Sequence, residues 1–166
     1  VERLRAAIPS IALTTDIIVG FPGETDEEFE ETMTAVQAVG FDDAFTFKFS
    51  PREGTPATRM PAEWTVSDEV ASARLGRLIE AVRAGAREKN LRLLGERREV
   101  LVEKAAKRGE LMQARSRDYK TVLIPGDESL VGTYLTVELT GTTGSTFTGT
   151  VVVCKMPSRW TFSPGS

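Results

Sequence analysis

Histidine is absent from this chain, and cysteine occurs once, at position 154. Without an imidazole, neither a Ser-His-Asp nor a Cys-His nucleophile system can be assembled. A Cys/His zinc site is excluded for the same reason. A single thiolate cannot hold an iron–sulfur cluster, which needs three or four such ligands. No internal disulfide is possible, so nothing points to a disulfide-built secreted scaffold. No apolar run approaches the roughly 18 residues of a membrane-spanning helix. The start, Val1-Glu2-Arg3-Leu4-Arg5, is not followed by the long apolar core of a signal peptide. A first residue of Val followed at once by helix-like sequence fits a start inside a larger protein and a trimmed chain alike. Cys154 reads as a small buried hydrophobe at the end of the last strand, since no paired base or second thiol is present.

What is there suits one globular domain or two small ones: 166 residues, 40% hydrophobic and 27% charged. Charge divides the chain unevenly. Residues 1–90 hold ten basic and sixteen acidic side chains, a net of −6, and residues 91–166 hold eleven and eight, a net of +3. The sign changes where the pattern changes, from helices alternating with strands to strands and turns. The boundary is placed at Leu94-Gly95, giving units 1–94 and 95–153 and a tail 154–166.

The first unit reads as βα repeats. Ile11 to Val19 is rich in Ile, Val and Thr and suits a strand, with Ile17-Ile18-Val19 as the run of a buried parallel one. Gly20-Phe21-Pro22-Gly23 breaks it. Thr25-x-x-Glu28 is a capping-box pattern that opens a helix over about Asp26 to Val39, with Phe29, Met33 and Val36 on one face and Gly40 as its stop. Ala44 to Phe49 is the next strand, with Phe45, Phe47 and Phe49 sharing a face. Ser50 to Pro56 is a loop by its Pro and Gly content. A long helix follows from about Ser67 to Leu94, closed by Gly95, with Val70, Leu75, Leu78, Ile79 and Val82 as its apolar stripe. Gly76 and Gly85 weaken its middle and are expected where it packs closely or bends.

The second unit offers five short strands, near Arg98–Glu103, Leu111–Arg115, Lys120–Leu123, Thr133–Leu139 and Phe147–Val153. Five strands with Gly-rich turns fit a small closed barrel of the OB type, because closure removes the exposed edges of a flat sheet. The fold class is thus α/β followed by all-β.

Three segments could carry chemistry. Gly20-Phe21-Pro22-Gly23-Glu24 lies between a strand and a helix, where α/β folds place ligand loops; its spacing fits a plain tight turn equally well. Ser50 to Pro56 also follows a strand end, and Arg52 could grip a carboxylate or phosphate or simply pair with Glu53. Lys104, Lys107, Arg108, Arg115, Arg117 and Lys120, with Tyr119 among them, form a basic cluster on the barrel. Such a cluster suggests a nucleic-acid surface, or else a solvated basic face that Glu103, Glu110 and Asp118 partly neutralise.

Together, Asp16 to Thr25 (DIIVGFPGET) and Phe45 to Ala57 (FTFKFSPREGTPA) resemble the late strands of the radical-SAM domain in methylthiotransferases. Gly95 to Val153 resembles the TRAM RNA-binding domain that ends those enzymes. Pro125 to Gly132 (PGDESLVG) is similar to the tRNA branch, the MiaB type. The resemblance covers about residues 5–153. It implies a partial radical-SAM (βα) barrel followed by a TRAM barrel, in an enzyme that adds a methylthio group to C2 of N6-isopentenyladenosine next to the anticodon. The implied cofactors are S-adenosyl-L-methionine and two [4Fe-4S] clusters, whose cysteines this chain lacks, so the chain alone is expected to be inactive. The resemblance implies that Ile18 and Gly20 lie on the family's adenine-contacting strand, that Glu24 stabilises its turn, and that Phe49 and Arg52, ending the neighbouring strand on the same rim, lie on the cofactor side. No residue is assigned as catalytic or as a metal ligand. The implied partner is tRNA through its anticodon stem-loop, with no membrane and no DNA, in the cytoplasm. Two alternatives stay open: a stand-alone RNA-binding module, and a methylthiotransferase acting on a ribosomal-protein aspartate or on threonylcarbamoyl-adenosine in tRNA.

Overall fold

The computed structural model describes residues 1–107 and 110–152. Its first unit comprises α1 (Glu2–Ala7), β1 (Thr14–Val19), α2 (Asp26–Val39), β2 (Asp43–Lys48) and α3 (Asp68–Arg92). The β1 and β2 strands pair in parallel, from Thr14 opposite Asp43 to Val19 opposite Lys48. The capping box of α2 forms as its sequence dictates: the Thr25 hydroxyl accepts from Glu28 N–H, and the Glu28 carboxylate accepts from Thr25 N–H. The helix ends at Gly40 in the left-handed region, φ 57°. Its last carbonyls would be orphaned, and cations from two other helices satisfy them. Arg5 donates to Val39 O at 2.5 Å, and Lys89 donates to Gly40 O at 2.8 Å.

Helices α2 and α3 cover one face of the β1–β2 sheet around Val19, Phe29, Met33, Val36, Leu78 and Val82. The other face is open. Ile17 and Val19 point inward, whereas Ile18 is exposed, and so are Phe45 and Phe47 of β2, Phe45 at 65%. The buried parallel strand read from Ile17-Ile18-Val19 is therefore half-buried here, because only one layer of helices packs on it. The stripe of α3 also shifts. Leu78 and Val82 are buried as expected, but Val70 is exposed, and Ala71 and Arg74 take the inward positions. The loop after β2 contains two 3-10 helices, Pro56–Arg59 and Ala62–Trp64, too short to leave a periodic signal.

Gly76 and Gly85 do not mark close packing: a Cβ at either would meet nothing within 4 Å. They only loosen the helix. Gly76→Ala and Gly85→Ala are each expected to stabilise the chain by about 0.4–1 kcal/mol. The gain would be read as a higher denaturation midpoint at constant m-value.

The second unit contains β3 (Arg97–Ala105), β4 (Leu111–Ser116), β5 (Thr121–Pro125), β6 (Tyr134–Thr142) and β7 (Thr146–Val151). They close into a barrel in the order β3-β4-β5-β7-β6, with a parallel β5–β7 pairing completing the circuit. Alternation supplies its core: Val100, Val102, Met112, Ala114, Val122, Ile124, Val137, Leu139 and Phe147 all point inside. A register shift between Leu139 and Gly141 lets β6 bend around the barrel, and a Cβ on Gly141 would sit 2.8 Å from Thr148 Oγ1.

The two units meet through the end of α3. Leu93 packs on the barrel core, and Asn90, buried, donates to Gly144 O at 2.6 Å. Gly95 N–H donates to Leu139 O, and Leu139 N–H donates to Glu96 O.

Candidate functional site

The strand ends of the first unit form a rim. Gly20 holds φ +73°, and a Cβ there would lie 2.6 Å from the Ala71 Cβ. The glycine is thus required by α3, which packs directly on the turn. The Glu24 carboxylate accepts from Gly20 N–H and from Arg74 Nη1, the latter at 2.8 Å. Arg74 Nη1 also reaches Glu24 O at 3.1 Å, and its Nη2 reaches Asp26 Oδ1 at 2.7 Å. Burial by itself would lower the Arg74 pKa, but hydrogen bonds to Asp26 and Glu24 outweigh it and raise the value. Gly20 and Glu24 are therefore turned into the protein, and their geometry holds the loop.

Ile18 and Phe49 differ from them. Ile18 stands on the open face of the sheet. The Phe49 ring packs edge-on against Phe21 at 5.0 Å between centroids, just past β2. Arg52 is exposed on the loop beyond, where its carbonyl accepts from Thr55 N–H and the Thr55 hydroxyl. Among the described residues Arg52 forms no ion pair, with Glu53 or any other acid. Beside the rim lies a cleft of about 740 Å³, lined by Phe21, Pro22, Glu24, Glu28, Trp64 and Val66.

The structure distributes the basic cluster of the barrel over three settings. Lys104 and Lys107 are exposed, and Arg108 lies outside the described residues. Arg115 is held by Glu103, at 3.1 and 3.2 Å, and lies over the Tyr119 ring, 4.9 Å from its centroid. The Arg115 hydrogen bond holds the Glu103 carboxyl below its ordinary range. Arg117 binds Glu99 at 2.9 Å on an exposed edge. Lys120 is elsewhere: its Nζ meets Asp42 Oδ1 of the first unit at 3.1 Å, and both side chains are only 12% exposed. Asp42 also accepts from Leu13 N–H and from Lys89 Nζ, each at 2.9 Å. Burial pushes the Asp42 carboxyl up, but these three donors outweigh it and leave its pKa lowered. The cluster read from sequence is thus part surface and part junction.

Two residues escaped the sequence reading. Arg74 sits on the buried stripe of α3, three residues after Ala71 and four before Leu78; a charged residue at a core position was the available signal. Tyr134 is 66% exposed on β6 and left no local pattern to find it by.

Residues 91–152 match the model of the TRAM domain family. Over 153 residues the chain is 46% identical to the tRNA-2-methylthio-N(6)-dimethylallyladenosine synthase of Thermoanaerobacter sp. (strain X514), an alignment covering 92% of this chain and 32% of that protein. The synthase of the same name from Bacillus cereus (strain B4264) is 48% identical over 141 residues, covering 84% and 27% respectively. That of Methylacidiphilum infernorum (isolate V4) is 42% identical over 154 residues, covering 92% and 32%. The chain spans about a third of the length of the curated relatives it matches. Among the described residues no helix is long and apolar enough to cross a membrane.

Proposed function

We propose that this chain, whose residues 91–152 match the TRAM domain family, belongs to the radical-SAM methylthiotransferase family and forms the end of the radical-SAM domain and the RNA-binding module of a longer tRNA-modifying enzyme. The enzyme's product would be the 2-methylthio derivative of N6-dimethylallyladenosine beside the anticodon. The observation that carries this reading is the pairing of two features in one chain. A half-covered βα sheet is joined to a closed barrel, and 84–92% of the chain aligns with the tRNA-2-methylthio-N(6)-dimethylallyladenosine synthases named above.

The open face of β1 and β2 supports the first half of the proposal. Ile18, Phe45 and Phe47 leave an apolar surface that the remaining strands and helices of a (βα) barrel would enclose. S-adenosyl-L-methionine and two [4Fe-4S] clusters would supply the radical and sulfur chemistry of such an enzyme. Ile18 and Phe49 present apolar side chains on the face and rim where the adenine of the cofactor would pack. Gly20 and Glu24 would act one step back, by fixing the turn, and Arg52 would face the same rim. One cysteine falls short of a cluster's ligand set, so no residue of this chain is assigned to a cluster.

The barrel would bind the anticodon stem-loop, with Lys104 and Lys107 as the cations free of close acidic partners among the described residues. The test is a titration of the chain with an anticodon stem-loop RNA across a salt series. Binding should weaken as salt rises, and replacing Lys104 and Lys107 together by Ala should lower the log–log slope by about 1–2. Absence of RNA binding even at low salt would overturn the RNA reading. RNA binding with no measurable affinity for S-adenosyl-L-methionine in the full-length enzyme would favour a pure RNA-binding module.

A further inference from the structure

We propose that the outer face of β4, β3 and β6 carries a stacking platform for unpaired RNA bases, built by Tyr119, Arg115 and Tyr134. The proposal rests on the RNA reading above and names the form of RNA the barrel takes. Strand register assembles the platform. Leu101 lies opposite Arg115 on β4 and opposite Tyr134 on β6. Residues directly opposite one another in antiparallel pairs share a face, so all three project from the same side. That side is the outside, because the neighbours of Leu101 on β3, Val100 and Val102, fill the core. Arg115 then lies over the Tyr119 ring, which extends the row by one aromatic group.

Both rings are open to a partner. Tyr119 is 79% exposed and Tyr134 is 66% exposed. Exposed aromatic rings on one face offer flat surfaces on which bases can stack. The backbone that carries the Tyr119 ring is also held in place. Its backbone adopts φ 66°, a left-handed conformation uncommon for a bulky residue. The turn that imposes it is tied down: Tyr119 N–H donates to Ser116 O at 3.0 Å, Ser116 N–H donates to Lys120 O at 3.0 Å, and the buried Ser116 hydroxyl donates to Asp118 at 2.5 Å. Arg98 in turn binds Asp118 at 2.9 Å.

Charge selects the occupant. The Arg115 guanidinium is already neutralised by Glu103, and Arg117 by Glu99. Such a surface offers flat π faces and a planar guanidinium and little net positive charge, which favours bases over a phosphate backbone. The charges that would track the backbone, Lys104 and Lys107, lie farther along β3 and in the loop after it. A paired stem hides its base faces, so the platform would take the unpaired nucleotides of a loop.

The experiment measures binding of the full chain to a labelled oligoadenylate of about eight nucleotides and to an RNA duplex, each across a salt series. Tyr119→Asn keeps a residue that tolerates the left-handed backbone, and Tyr134→Ala removes the second ring. Each should weaken oligoadenylate binding about 5- to 100-fold with the salt slope unchanged, and leave duplex binding within about twofold. Tyr119→Phe and Tyr134→Phe should restore it. If the double variant, folded by its thermal transition, binds oligoadenylate like the parent chain, the platform is wrong. Persistent anticodon stem-loop binding in that variant would show that the RNA reading survives without it. Equal losses for duplex and oligoadenylate would also overturn the stacking role, since they would indicate a general disturbance of the barrel.

Discussion

Arg74→Ala is expected to destabilise the first unit by about 3–5 kcal/mol, the range for breaking a buried ion pair from one side. Arg74 and Glu24 are 7% and 12% exposed at their side chains, so the carboxylate left behind gains little from water. Glu24 would keep only the Gly20 N–H, and Asp26 would lose its partner as well. The Phe29 ring would lose one of the two guanidinium groups near it, Arg74 at 5.5 Å, and keep Arg77 at 5.0 Å. Arg74→Lys would not rescue the site, because one ammonium cannot supply the two-pronged contact to Glu24 and Asp26. Glu24→Gln combined with Arg74→Met should recover much of the loss, since removing both charges removes the desolvation problem. Urea denaturation of the single and double variants measures each step. A cost below about 1 kcal/mol for Arg74→Ala would mean that the ion pair does not hold the turn.

The features legible in the sequence are those that local physics decides. The capping box of α2, the five barrel strands and the start of α3 near Ser67 depend on neighbours a few residues away. What was not legible depends on partners brought together by the fold. Lys120 looks like its basic neighbours in the sequence, yet its partner Asp42 is 78 positions away. Arg115 and Tyr134 come to flank Leu101 only because β4 and β6 both pair with β3. The Gly20 turn read correctly as a turn, but that α3 would press a methyl against it could not be read from spacing. Ile18 read as buried because a run of three apolar residues does not say how many layers will cover it. Arg108 and Cys154, both singled out from sequence, lie outside the described residues.

The junction between the two units leads to the second large effect. Asp42→Ala should cost about 2–3 kcal/mol, because it leaves Lys120 with no charge partner in a nearly buried position. It also removes the acceptor for Leu13 N–H and one of the two contacts of Lys89. The loss should fall on the contact between the units and on the Leu13–Lys89 end of the first unit, and leave both apolar cores in place, since Asp42 belongs to neither the barrel cluster nor the helix–sheet cluster. Limited proteolysis between α3 and β3 should therefore quicken in Asp42→Ala while each unit keeps its own exchange-protected core. Lys120→Met in the same background should return part of the stability by removing the stranded charge. The acid response carries a definite sign. The folded pKa of Asp42 lies below its ordinary value, so its contribution is complete above the unfolded carboxyl pKa of about 4. It is lost as the pH falls through the lowered folded value. Stability should thus be level through the neutral range and decline below about pH 4, with Asp42→Asn removing part of that decline. A decline identical in the variant would assign the acid sensitivity to other carboxylates with lowered values, such as Glu103.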